Sequence, residues 1–203
     1  MIRRPSGPPP HGADFLRSQA DTLPACDFLE TITLNGQRQY ILAVIEHATR
    51  RIRVLGTTAK WVAQAIKNLV MDLDDAGCRA RFLLRDRDGK SPALMDEILA
   101  EAGIKTVLTG IRMPRMNSIL ERWVQSCRDL LDRCLVWNEH HLRHALREHE
   151  RFYNQHRAHQ ALDQAAPLRS VPDPITDPRR IINLNVRRRD RLGGVLHEDS
   201  HAA

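Results

Sequence analysis

Between residues 25 and 108 the apolar pattern changes its period once, and that change restricts the fold more than any other feature of the chain. Up to Gly56 the pattern is strand-like. Residues 25–34 read as a first strand, and Asn35-Gly36 behind them is a strong hairpin signal. Residues 40–45 are apolar without a break, which predicts a central strand covered on both faces. Residues 51–56 alternate and return as a third strand, so the chain opens as an antiparallel meander. Beyond Gly56 the period becomes three and four. Trp61, Val62, Ala65, Ile66, Leu69, Val70 and Leu73 predict an amphipathic helix over 59–76, ended by Gly77. A strand over 80–85 follows, then a helix over 93–100 opened by Ser91-Pro92 and stopped at Gly103, then a fifth strand over 104–108. A meander followed by β-α-β-α-β predicts an α/β fold: a mixed five-stranded sheet flanked by helices, with right-handed crossovers.

The second half of the chain is helical. A loop over 110–116 carries Arg112, Pro114 and Arg115 and leads into a helix over 117–134. Asn117 is its expected N-cap, and Ile119, Leu120, Trp123, Val124, Cys127, Leu130 and Leu131 share one face. Another helix, over 138–158, is dense in His and Arg and is expected to bury Leu142, Ala145, Leu146 and Phe152. His140, His141, His144 and His149 on it read as a solvated face rather than a zinc site. Residues 1–22, with four prolines, read as a flexible lead-in, and 23–164 as the folded core. Residues 165–180 hold Pro167, Pro172, Pro174 and Pro178 and read as a linker. Residues 181–203 are a basic tail or a small hairpin turning at Gly193-Gly194.

Charge and composition narrow the function. The chain is 42% apolar, as globular proteins are, and no apolar run approaches the roughly 20 residues that cross a bilayer. No apolar stretch follows the basic start Met1-Ile2-Arg3-Arg4, so no secretion signal is expected. The four cysteines form no Cys-x-x-Cys pair, which argues against a zinc knuckle or disulfide framework and for a reduced, cytoplasmic setting. The formal net charge is +6, mostly from arginine at 50–53, 79–87, 112–157 and 179–191. Arginine forks suit phosphate, so a nucleic-acid partner fits.

Three acids stand where chemistry can use them. Asp27 lies among apolar neighbours in the first strand, Asp86 ends the fourth, and Glu121 lies one turn into the helix behind the arginine loop. Taken singly, each has an ordinary reading: a surface acid on an edge strand, a turn or salt-bridge residue, a plain helix acid. Taken together, with the first and fourth strands side by side, they offer oxygen-only donors that suit Mg²⁺ or Mn²⁺ rather than zinc.

The surrounding motifs resemble those of the DDE integrases and insertion-sequence transposases, the retroviral-integrase-like branch of the ribonuclease H fold. The matching pieces are Ala25-Cys26-Asp27-Phe28, Ile45-Glu46-His47-Ala48-Thr49-Arg50-Arg51 and Leu84-Arg85-Asp86-Arg87-Asp88-Gly89-Lys90. Further on come Met113-Pro114-Arg115-Met116-Asn117-Ser118-Ile119-Leu120-Glu121-Arg122-Trp123 and Tyr153-Asn154-Gln155-His156-Arg157-Ala158-His159-Gln160-Ala161-Leu162. Asp86 and Glu121 stand 34 residues apart (121 − 86 − 1), close to the family's usual spacing. The resemblance implies a ribonuclease H-like sheet and a metal-dependent enzyme that cleaves and transfers DNA strands. Asp27, Asp86 and Glu121 would be its catalytic ligands to two Mg²⁺ or Mn²⁺ ions. Asp88 competes with Asp86 for the second position. Lys90, Arg115, Arg122 and Arg128 become candidate DNA contacts, and His156 and His159 are expected to brace the fold. The implied partners are DNA, at element ends and target, and further copies of the chain. A helix-turn-helix protein from an upstream reading frame would recognise the ends, because nothing before Leu23 reads as such a module. The implied setting is the cytoplasm, on the nucleoid when bound. Ser91, Thr109-Gly110, Leu120 and Ala158 depart from the family pattern. They keep open an alternative, an inactive remnant that at most binds DNA non-specifically.

Overall fold

At the Asn35-Gly36 turn Gly36 takes a φ of +80°, which a side chain disfavours, and its N–H donates to the Thr33 carbonyl at 2.8 Å. The turn joins β1 (Pro24–Ile32) to β2 (Arg38–Glu46), and β2 pairs in turn with β3 (Ile52–Gly56), all antiparallel. The coordinates are a computed structural model, which describes residues 18–56, 62–75, 80–86, 93–109, 117–171, 176 and 186–201. After β3 come α1 (Val62–Asp75), β4 (Phe82–Arg85), α2 (Ala93–Glu101) and β5 (Lys105–Leu108). Then follow α3 (Ser118–Asp132), α4 (Glu139–His156), β6 (Val186–Arg191) and β7 (Leu196–His201). β4 is parallel to β1 and β5 parallel to β4, which gives a mixed sheet in the order β3-β2-β1-β4-β5.

Strand alternation divides the core in two. Ala25, Leu29, Ile41, Ala43, Ile45 and Leu84 face α3 and α4, where Leu120, Trp123, Cys127, Leu142, Ala145 and Leu146 meet them. Cys26, Phe28, Leu42, Val44 and Leu83 face Ile66, Leu69 and Leu73 of α1 and Met95, Ile98 and Leu99 of α2. The unbroken apolar run of β2 follows from this, since both of its faces are covered. Trp123 is completely buried, as its place in the α3 stripe predicts. Trp61, Gly77 and the Ser91-Pro92 cap lie outside the described residues.

Two helix expectations need correction. Asn117 occupies the N-cap position of α3, but its side chain makes no capping bond and its Oδ1 is buried without a partner among the described residues. In α4, Phe152 is only partly buried, and the inner face is completed by His149, Tyr153 and Asn154. His149 packs against Trp123 with ring centres 5.5 Å apart, whereas His140 and His144 are exposed. Asn154 does what no apolar residue can: its Oδ1 accepts from Ile52 N and its Nδ2 donates to Ile52 O, both at 2.9 Å. The amide thereby acts as a neighbouring strand on the outer edge of β3.

Burial in α4 also sets a pH dependence. It pushes the Glu150 carboxyl up to about 7, against a hydrogen bond from the Val54 backbone and the charges of Arg51 and Arg53. An unfolded Glu ionises lower, so the native state is penalised increasingly as pH rises from about 4.5 and fully above about 7. Glu150→Gln should therefore stabilise the protein by on the order of 1 kcal/mol at pH 8 and by nothing at pH 4, in urea titrations. His149 acts oppositely: burial holds it neutral down to about 4, so its contribution is lost as pH falls below about 6.5.

The chain after α4 returns to the core. Leu168 N donates to the Asn154 carbonyl at 2.8 Å, and Ala166 bridges to Arg169, so the start of the proline-bearing stretch is ordered on α4. β6 and β7 form an antiparallel hairpin turning at Gly193 (φ +65°) and Gly194 (φ +88°). Leu196 of the hairpin enters the α3–α4 side of the core. Arg191 reaches Glu148 at 2.7 Å and also pairs with Glu198, while His156 Nε2 lies 3.3 Å from Glu198. Arg191→Ala leaves two carboxylates facing one another. An expected loss of about 2 kcal/mol should be accompanied by faster tryptic cleavage at Arg187–Arg189.

Candidate active site

The parallel pairing of β1 and β4 aligns Ala25 with Leu84 and Cys26 with Arg85. One residue further along both chains are Asp27 and Asp86, on neighbouring strands that run about 4.8 Å apart. Asp27 is half-buried and stands opposite Ala43 of β2, which faces α3. Alternation puts Asp27 on the same face as Ala25 and Leu29. Carried one step past Leu84 and Arg85, it gives Asp86 that face too. The two carboxylates therefore share the side of the sheet that α3 covers.

Local bonds fix both acids. Asp27 Oδ1 accepts from Phe28 N at 2.7 Å. Asp86 Oδ1 accepts from Thr109 Oγ1 at 2.7 Å, and Thr109 N donates to the Arg85 carbonyl at 3.0 Å. Thr109 thus clamps the end of β4 from the end of β5, a role that no local sequence pattern marks. Arg85 turns to the opposite face and forms its ion pair with Asp96 of α2 at 2.7 Å, holding that carboxyl below its ordinary range. Cys26, on the face toward α1 and α2, is buried. Burial and then the Asp27 charge push its thiol far above the usual range, which makes it unreactive.

Glu121 lies in the first turn of α3, the helix packed on β1 and β2, between buried Leu120 and the buried pair Trp123 and Val124. It is exposed, and among the described residues no three His, Cys, Asp or Glu side chains converge to hold a metal ion. The structure thus brings Asp27 and Asp86 together and leaves Glu121 on the covering helix, outside a closed triad. As donors the pair fits a hard divalent cation: oxygen only, adjacent, and costly to ionise together without a positive charge. Arg122 and Arg128 are exposed on α3. Lys90, Arg115 and Asp88 lie outside the described residues.

A five-stranded mixed sheet of this order with helices on both faces is the ribonuclease H-like fold of retroviral integrase catalytic cores. The chain is similar to the HTLV-2 integrase catalytic core domain in complex with magnesium, at 12% identity and a TM-score of 0.52 over 70% of this chain and 92% of that one. It is similar also to a chain of the simian T-cell lymphotropic virus intasome in complex with PP2A regulatory subunit B56 gamma, at 12% identity and 0.57, over 90% and 67%. The catalytic core domain of BIV integrase superposes at 17% identity and 0.52, over 72% and 91%. At these identities the likeness is one of fold. No protein-family model and no curated protein sequence matches the chain.

Proposed function

We propose that this chain is the catalytic core of a DNA recombinase of the insertion-sequence type, which cleaves DNA strands and joins them at phosphodiesters. The observation that carries the reading is the register of β1 and β4, which sets Asp27 beside Asp86 on the face covered by the helix of Glu121. In this reading Asp27, Asp86 and Glu121 would hold two Mg²⁺ or Mn²⁺ ions. When bound, such ions activate a water or 3′-hydroxyl for attack at phosphorus and stabilise the leaving oxygen. The chain's own contribution is placement. Phe28 N and Thr109 Oγ1 fix the aspartate rotamers, and the packed sheet beneath denies them freedom to move. Glu121, on the covering helix, would supply the third carboxylate. Arg122 and Arg128, with Lys90 and Arg115, contact DNA phosphates and position the strand.

The similar structures support magnesium and self-association by what they are: integrase cores solved with magnesium in dimeric and trimeric forms, and an intasome. The partners in this reading are DNA ends, target DNA and further copies of the chain. The working location in this reading is the nucleoid. A second reading, a non-catalytic remnant that binds DNA non-specifically, is favoured by the exposed Glu121 standing outside a closed triad. Incubation of the protein with supercoiled plasmid and Mn²⁺ or Mg²⁺ decides between them. Nicking that EDTA abolishes is expected; intact plasmid at protein excess would leave the second reading standing.

A further inference from the structure

The turn between β2 and β3 carries a charge that no carboxylate among the described residues pairs with. Arg50 sits there at φ +61°, backbone that residues with side chains rarely adopt. The turn is braced into this shape. Arg50 N donates to the Glu46 carbonyl at 3.0 Å, Glu46 N to the Arg51 carbonyl at 3.0 Å, and Thr49 Oγ1 to Glu46 Oε2 at 2.5 Å. The Glu46 carboxylate is also paired with buried Arg53, so Arg50 takes no share of it. Arg50 Nη1 is buried and has no hydrogen-bond partner among the described residues.

Two further guanidinium groups lie close enough for their charges to be felt by the same residues. Arg157 lies over the Tyr153 ring, its Cζ 5.2 Å from the ring centre, and Arg122 is the residue that follows Glu121. All three arginine charges act on the Tyr153 hydroxyl and on His159, and Arg122 acts on Arg50 itself. His159 packs edge-on against Tyr153 with centres 5.0 Å apart, and its Nε2 is also buried without a partner among the described residues. None of the three arginines forms an ion pair among the described residues. Gathered cations with a buried, unbonded N–H are costly unless an anion completes them, and arginine forks match the oxygens of a phosphate.

We propose that Arg50, Arg122 and Arg157, with the Tyr153 hydroxyl and His159, bind a phosphate group of a nucleic-acid strand. The inference rests on the DNA reading above and extends it to residues beside Glu121. A phosphate seated there anchors the strand next to the helical turn that carries the third acid, and takes no part in bond breaking. Arg50 and Arg157 are thus positioning residues for the strand, held by the turn and by α4.

The test is a fluorescence-anisotropy titration of a short labelled DNA duplex in EDTA, at several salt concentrations, with wild type, Arg50→Lys and Arg50→Gly. Glycine suits the positive φ, so Arg50→Gly should keep or raise the melting temperature while removing the cation. Its DNA affinity should fall about tenfold or more and its salt slope by about 1, with Arg50→Lys between it and wild type. A parallel melting series with inorganic phosphate should stabilise wild type and not Arg50→Gly. Wild-type affinity and slope in Arg50→Gly would overturn the proposal. So would a variant that loses phosphate stabilisation alone, since the ligand would then be a free anion. Because EDTA removes any dependence on cleavage, lost affinity in Arg50→Gly beside a wild type that never nicks plasmid upholds this site and overturns the catalytic reading.

Discussion

Asp27→Asn and Asp86→Asn should each lower metal-dependent DNA nicking by about a thousandfold or more, which corresponds to about 4 kcal/mol of transition-state stabilisation. The substitutions are nearly isosteric, and each amide oxygen can still accept the bond from Phe28 N or Thr109 Oγ1. What they remove is charge. Without metal, two adjoining carboxylates repel one another, so both variants should melt no lower than wild type, and Asp27→Asn slightly higher. With Mn²⁺ the order should reverse, because only wild type gains from binding the ion. Glu121→Gln should abolish nicking as well, with a smaller loss of Mn²⁺ stabilisation, since its carboxylate stands apart from the pair. Asp88→Asn is the control. Nicking that survives Asp86→Asn but not Asp88→Asn would move the second ligand two residues along, and nicking that survives both would end the assignment.

Asn154→Ala is expected to cost about 3 kcal/mol, the largest loss of stability foreseen for any single polar side chain here. The residue is buried, and its amide satisfies both the N–H and the C=O of Ile52. Truncation strands two buried backbone groups, each costing on the order of 1–3 kcal/mol. It also loosens the β2–β3 turn that holds Arg50. Chemical denaturation with coincident far- and near-ultraviolet circular dichroism measures the loss. A cost below about 1 kcal/mol would mean that water replaces the amide and that the edge of β3 is not sealed by it.

How much of this was written in the sequence varies with range. The sheet was legible because period-two and period-3.6 patterns report which face of each segment is covered, and β2, covered on both faces, could hardly be read otherwise. That β1 and β4 can lie side by side was a possibility the sequence left open. The parallel register Ala25–Leu84 and Cys26–Arg85 settles the strand order, because periodicity reports which face is covered and not which strands are neighbours. What escaped were bonds between distant residues. The Asn154–Ile52 pairing spans 102 residues, and no local pattern distinguishes that asparagine from the polar residues around it. His149 read as one more solvated histidine in a polar run, because helical spacing alone cannot tell that Trp123 would lie across it. Asn117 has the right identity for an N-cap and still makes no capping bond. The Arg50 cluster joins a turn, α3 and the end of α4, so it exists only once the chain has folded.

The two edges of the sheet are unequal, and this bears on how copies of the chain avoid zipping together. On β3 the amide of Asn154 already occupies the groups of Ile52 that a foreign strand would need, so that border is closed to templated growth. The opposite border, β5, is only four residues long and opens with Lys105, too short and too charged to recruit another strand well. If copies of the chain associate as proposed, contact is thereby steered away from sheet extension and onto the helical faces, where it can be made and released without risk of fibril-like association.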